Sequence, residues 1–231
     1  MTRIRLKEKV LSRNEEIAAE LRERFARGAV TALNFIGAPG CGKTALLEAL
    51  LKRYPPERRV AVLTGDIQTD ADARRLSRYG FPCRQITTAG ACHLDAAMVK
   101  QALDGWQVGA LEFLFIENVG NLVCPTSYDL GESAKVVVLS VTEGEEKPLK
   151  YPGIFRKAQL MVLSKIDLLA HVPFDLEQAI GNARRINPEL KVISLSALTG
   201  QGTDCLMAWI DAAHYRSLMA PAVFDRAAPG R

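Results

Sequence analysis

Seven short apolar runs recur along the chain, at Val30–Ile36, Arg59–Leu63, Arg84–Thr88, Leu111–Ile116, Lys135–Val141, Leu160–Leu163 and Lys191–Leu195. Most are near-continuously apolar instead of alternating, the pattern of strands buried on both faces. Between several of them the apolar residues switch to helical spacing, over Thr44–Arg53, Asp70–Tyr79, Leu94–Leu103, Phe174–Ile186 and Thr203–Tyr215. Strand runs separated by helical runs predict an α/β, three-layer fold with a mostly parallel sheet covered by helices. An earlier helix is expected over Glu8–Phe25, where Val10, Leu11, Ile17, Leu21 and Phe25 fall near one face among Arg and Glu. The expected organisation is an N-terminal amphipathic helix (1–27), a central domain (28–219) and a loose tail (220–231) without periodicity.

Composition supports one domain and narrows its setting. The chain has 231 residues, 48% hydrophobic and 24% charged, enough for a substantial core. Its net charge of +4 is spread along the sequence, so neither a nucleic acid nor a membrane is expected as a partner. No apolar run approaches the roughly 18 to 20 residues of a membrane span, and Met1-Thr2-Arg3-Ile4-Arg5-Leu6-Lys7 leads into a charged helix and not an apolar leader. A cytoplasmic protein is expected. The five cysteines, at 41, 83, 92, 124 and 205, lack paired spacing, which favours reduced thiols or metal ligands over a disulfide framework.

In an open parallel sheet, ligands sit beyond the carboxyl ends of the strands. There, Gly37-Ala38-Pro39-Gly40-Cys41-Gly42-Lys43-Thr44 matches G-x-x-x-x-G-K-[ST] between a strand run and a helical run, the context of a P-loop NTPase fold. Backbone N–H groups from Gly37, Gly40, Cys41 and Gly42 would wrap phosphate oxygens, Lys43 would neutralise the β and γ charges, and the Thr44 hydroxyl would ligate Mg²⁺. The Cys41 side chain is expected to be small filler. Phosphoryl transfer also needs carboxylates for Mg²⁺ and the attacking water. Asp66 and Glu117 end apolar runs, and Asn118-Val119-Gly120 after Glu117 makes an acid-x-x-Gly turn suited to sensing a γ-phosphate. The plainer alternatives are an exposed acidic strand end for Glu117 and a helix cap for Asp66. Asp70 is read as a cap of the next helix and Asp72 as a surface partner of Arg74 or Arg75.

Two later strand ends address the base. Ser164-Lys165-Ile166-Asp167 resembles the [N/T]-K-x-D element of GTPases, in which the carboxylate, here Asp167, accepts from guanine N1 and N2 and the Lys165 stem lies against the ring. Ser196-Ala197 supplies the matching backbone contact to guanine O6. GTP is therefore the expected nucleotide. Ser164 replaces the usual Asn, so one supporting hydrogen bond is expected to be lost.

Cys92-His93 and Cys124 also follow strand ends. Thiolate and imidazole suit Zn²⁺ and Ni²⁺. The bland alternative is that Cys92 and Cys124 are small core residues and His93 caps the helix at Leu94. Three ligands leave a fourth to be found elsewhere.

Taken with Gly65-Asp66-Ile67-Gln68-Thr69-Asp70, Cys92-His93-Leu94-Asp95-Ala96, Glu117-Asn118-Val119-Gly120-Asn121-Leu122-Val123-Cys124-Pro125, Asp129-Leu130-Gly131-Glu132 and Ser140–Pro152, these motifs resemble the nickel-incorporation GTPases of hydrogenase maturation, the HypB family. The resemblance spans roughly residues 8 to 215. It implies GTP hydrolysis with Mg²⁺, a homodimer formed on GTP binding, and nickel or zinc bound by Cys92, His93 and Cys124 at the dimer interface. It further implies two partners, a HypA-family nickel accessory protein and a [NiFe]-hydrogenase large-subunit precursor. Met1–Phe25 holds no Cys or His, so the separate N-terminal metal site of many relatives is not expected. Ala45, where relatives often have Thr, is a milder departure. Two alternatives compete: a urease-type nickel GTPase, disfavoured by the separation of Cys92-His93 from Cys124, and a metabolic P-loop kinase with structural cysteines, which requires an arginine-rich lid. A metal buffer with vestigial nucleotide binding is a third, opposed by the intact Lys43, Thr44, Asp66 and Glu117.

Overall fold

A computed structural model describes residues 3–219 apart from 67 and 69, with side-chain surroundings from residue 9 onward. The tail expected over 220–231 lies outside the described residues. Among those residues seven strands form one sheet: β1 (Thr31–Ile36), β2 (Val60–Asp66), β3 (Cys83–Thr87), β4 (Phe113–Glu117), β5 (Ala134–Ser140), β6 (Leu160–Ser164) and β7 (Lys191–Ser194). Their order is β3-β2-β4-β1-β5-β6-β7, and every neighbouring pair is parallel. All seven carboxyl ends therefore share one edge.

The helices are α1 (Arg3–Arg27), α2 (Lys43–Leu51), α3 (Ala71–Ser77), α4 (Ala96–Ala102), α5 (Lys147–Lys150), α6 (Pro152–Lys157), α7 (Leu176–Ile186) and α8 (Thr203–Met219). Strand residues alternate between two faces, as a period of two requires. Leu33, Phe35, Phe113 and Phe115 face α2, α3 and α8. Ala32, Leu114 and Ile116 face α1 and α4, and Ile36, Val137 and Met161 face α6 and α7. The Phe35 and Phe115 rings meet edge to face at 5.7 Å beneath the phosphate loop. Truncating such a buried ring costs about 3 to 5 kcal/mol.

The predicted fold class holds, with the sheet wholly parallel. Central strands β1, β4 and β6 are buried throughout, whereas β3 and β7, each paired on one side only, are half exposed. Strands β2 and β4 run on through Asp66 and Glu117, so these acids belong to the sheet's rim. Helix α1 buries Ala18, Leu21 and Phe25, but Val10, expected in the same stripe, is 49% exposed and lies outside the buried face. Helix α4 starts two residues later than predicted because the Asp95 carboxylate accepts from Met98 N at 2.8 Å, closing the first turn. Among the described residues no helix is long and apolar enough to cross a membrane.

Candidate nucleotide and metal site

The phosphate loop leaves the central strand β1 and enters α2 through Gly42, whose φ of 99° is left-handed and costly for a side chain. The Cys41 thiol is fully buried, and burial pushes its pKa up to about 11. It acts as the expected filler. Lys43 is also buried, its ammonium donating to the Gly37 and Ala38 carbonyls at 3.3 and 3.4 Å. Over the loop opens a cavity of about 750 Å³ lined by Lys43, Thr44, Asp66, Asp72, Arg75 and Glu117.

Glu117 is 5% exposed, which removes the reading of an exposed strand end. Its Oε1 accepts from the Thr44 hydroxyl at 2.7 Å, while its buried Oε2 has no hydrogen-bond partner. Burial raises its carboxyl pKa to about 7, against the opposing pull of the Thr44 bond and the Lys43 charge. A partnerless carboxylate oxygen beside a hydroxyl is a donor pair that fits a hard divalent cation such as Mg²⁺. Asp66 lines the same cavity and its Oδ1 accepts from Gln68 N at 2.9 Å, so it closes a turn and does not cap α3.

Two neighbouring acids differ from expectation. Asp70 precedes α3 but makes no side-chain cap, pairing with Arg74 one turn on. Arg75 pairs with Glu48 of α2, not Asp72, and both Arg75 and Asp72 line the cavity. An arginine on an ordinary-looking surface helix thus reaches the phosphate side, which sequence reasoning missed; only the position of α3 beyond β2 could have signalled it.

At the strand end expected to read the base, β6 delivers Ser164 and Lys165. The Ser164 hydroxyl donates to the Cys41 carbonyl at 2.6 Å and ties this strand end to the phosphate loop. Lys165, at φ 60°, reaches the Gly40 carbonyl with Nζ at 2.6 Å. Asp167 follows in the first turn of the 3-10 segment Ile166–His171, and Ile166 N bonds the Leu195 carbonyl at 3.3 Å, drawing the ends of β6 and β7 together. Ser196 is buried and its hydroxyl accepts from Thr199 N, so its side chain builds the turn that presents Ala197.

The cysteine and histidine residues converge. The ligating atoms of Cys92, His93 and Cys124 lie within 4.8 Å of one another, and all three residues are half-buried. The two thiol sulfurs are 2.7 Å apart, and this contact, then burial, raises the Cys92 pKa. Burial lowers that of His93 against the opposing pull of Asp95, and the lowered pKa favours the neutral imidazole. The ring stacks on Tyr128 with centroids 3.8 Å apart. Asn121 steadies the arrangement by donating to the Cys92 carbonyl at 3.2 Å and accepting from Val123 N at 2.8 Å. His93 does not cap α4; Asp95 does. Cys83 and Cys205 lie elsewhere, on β3 and α8. Two sulfurs and one nitrogen form a donor set fitted to Zn²⁺ or Ni²⁺.

A parallel sheet whose central strand opens into a glycine loop and a helix, with a carboxylate on the adjacent strand end facing the loop's threonine, defines a P-loop nucleotide-binding protein. Residues 31–194 match the family described as CobW/HypB/UreG, nucleotide-binding domain. The chain belongs to this family and, within it, to the HypB hydrogenase maturation factors. It is 49% identical over 210 residues to hydrogenase maturation factor HypB of Azotobacter chroococcum mcd 1, covering 90% of this chain and 68% of that protein. It is 43% identical over 198 residues to the hydrogenase/urease maturation factor HypB of Helicobacter pylori strain J99, covering 84% and 81%. The crystal structure of HypB from Helicobacter pylori in complex with nickel has a TM-score of 0.85 at 36% identity, covering 89% of this chain and 97% of that one.

Proposed function

We propose that this chain is a GTP-hydrolysing metallochaperone that takes nickel as its cargo and assists its insertion into the [NiFe]-hydrogenase large subunit. The observation that carries this reading is the convergence of Cys92, His93 and Cys124 beside the acid turn that follows β4. Lys43 and the loop amides would hold the β and γ phosphates. Thr44, Asp66 and Glu117 would hold Mg²⁺, which supplies charge neutralisation on those phosphates. Asp66, which lines the cavity, would help to orient the attacking water. Asp167, with its paired acceptor oxygens, selects guanine over adenine, and Ala197 offers its N–H to O6.

GTP-ordered loops would close a homodimer and hydrolysis would reopen it, with the metal site strengthened in one state and weakened in the other. If nucleotide changes nickel affinity, nickel changes nucleotide affinity by the same factor. The partners of this cycle are a HypA-family accessory protein and the hydrogenase large-subunit precursor, and its setting is the cytoplasm. Support for the hydrogenase pathway comes from the relatives' names and from the nickel complex of the Helicobacter pylori structure.

Size-exclusion with metal analysis tests the assignment on wild type and Cys92→Ala, each with GDP or a non-hydrolysable GTP analogue. Nickel should co-elute with wild type in a nucleotide-dependent amount and fall sharply in the variant. Unchanged metal content in Cys92→Ala would remove the site.

A further inference from the structure

Between the two candidate sites runs a buried polar chain that begins in the Glu117 turn, at the lining of the nucleotide cavity. Asn118, 1% exposed and next to Glu117, accepts from Leu94 N at 3.2 Å, and Leu94 directly follows His93. The Asn118 amide nitrogen donates to Asn34 Oδ1 at 3.2 Å, and Asn34 on β1 donates onward to Glu132 Oε1 at 3.0 Å. Glu132 pairs with Lys135, whose ammonium also donates to the Tyr128 carbonyl at 3.3 Å. Tyr128 stacks on His93 and closes the circuit. A polar residue in the middle of a fully buried strand such as β1 lowers stability unless it is satisfied, and the Asn34 amide is satisfied by Asn118 and Glu132 of this circuit.

The circuit touches the nucleotide side at two tight places. A Cβ on Gly120, in the Glu117 turn, would stand 3.0 Å from Pro39 of the phosphate loop. A Cβ on Gly65, beside Asp66, would stand 2.8 Å from the Leu94 side chain. Leu94 is wholly buried and is thus wedged between the rim of β2 and the rim of β4, one residue from a metal ligand. Close-packed contacts of this kind do not deform continuously; a shift of either rim must move the wedge.

We infer that Asn118 and Leu94 are the positioning residues through which the nucleotide state sets the geometry of the Cys92-His93 pair, Asn118 by its bond to Leu94 N and Leu94 by its wedge between the two acid-bearing strand ends. This rests on the nucleotide-driven metal switch proposed above. Asn118 borders the cavity over the phosphate loop, but its amide is taken up by Leu94 N and Asn34, and Leu94 does not line that cavity. Their effect is on the ratio of nickel affinities in the two nucleotide states, not on either ligand's binding by itself.

The test measures Ni²⁺ affinity by chelator competition, with GDP and with a non-hydrolysable GTP analogue, for full-length wild type, Asn118→Ala, Leu94→Ala and Leu206→Ala. Leu206, a buried α8 residue in the opposite core, controls for loss of packing alone. Wild type should show an affinity ratio in the range usual for coupled sites, about 5- to 150-fold, with the reciprocal change in nucleotide affinity. In Asn118→Ala and Leu94→Ala the ratio should collapse to within about twofold of one, while Leu206→Ala keeps it. If Asn118→Ala does not fold, Leu94→Ala decides, since it keeps the backbone bond to Asn118 and removes only the wedge. A wild-type ratio of one would overturn the switch itself and this assignment with it. A wild-type ratio that survives in the folded variants would overturn the assignment alone.

Discussion

Glu117 carries a titration that distinguishes the empty site from a filled one. Its folded carboxyl pKa, about 7, lies above the ordinary 4.5 because burial disfavours the anion. The folded chain therefore binds this proton more tightly than the unfolded chain. The contribution is fully present below pH 4.5 and is lost as pH rises through about 7, amounting to about 3 kcal/mol. Nucleotide-free Glu117→Gln should accordingly be more stable than wild type at pH 8, with the gap closing below pH 5, in urea melts across that range. A gap independent of pH would show that Glu117 is ionised throughout. Ser164→Ala makes a second case, because it removes the buried donor to the Cys41 carbonyl. It should lower stability by about 1 to 3 kcal/mol and weaken GTP binding, since phosphate loop and base strand lose their link; calorimetric titration with unchanged affinity would contradict this. Lys43 and Thr44 were legible through the glycine-rich motif, and Asp66 and Glu117 because each follows an apolar run. Asn34 had no legible role, and Asn118 was legible only as a member of the acid-x-x-Gly turn. A single asparagine at an apolar run carries no sign of whether it faces water or another buried amide.

At the scale of elements, the strands were legible to within a few residues as continuous apolar runs, and the longer helices because each is long enough for its period to show. The short helices α5 and α6 were not: four and six residues with proline in the first turn hold no periodicity to detect. The start of α4 was missed for a different reason. Leu94 continues the apolar pattern but is the buried wedge before the helix, and Asp95 is the cap. Asp95→Ala should lower stability by about 1 kcal/mol and raise hydrogen exchange at Met98, whose N–H loses its acceptor. Unchanged exchange there would mean that α4 forms without this cap.

The whole molecule adds what pairing alone decides. Nothing in the chain's order announces that β4 lies between β1 and β2, yet this insertion sets Glu117 facing Thr44 and brings the loop carrying Cys124 back to Cys92. Convergence of sites distant in sequence is a product of topology, and only the family strings made the metal trio legible beforehand. The proposed cycle predicts that sedimentation velocity finds a dimer with the GTP analogue and Mg²⁺ and a monomer with GDP; one species in both would disprove GTP-driven dimerisation. The burial of Cys41 bears on how such states can be watched. With its thiol held near pKa 11 inside the core, the phosphate loop presents almost no nucleophile to an alkylating reagent at neutral pH, and Cys83, raised likewise, presents little. Exposed Cys205 then serves as an internal standard, and iodoacetamide uptake at Cys92 and Cys124 becomes a footprint of metal occupancy that leaves the nucleotide pocket chemically silent.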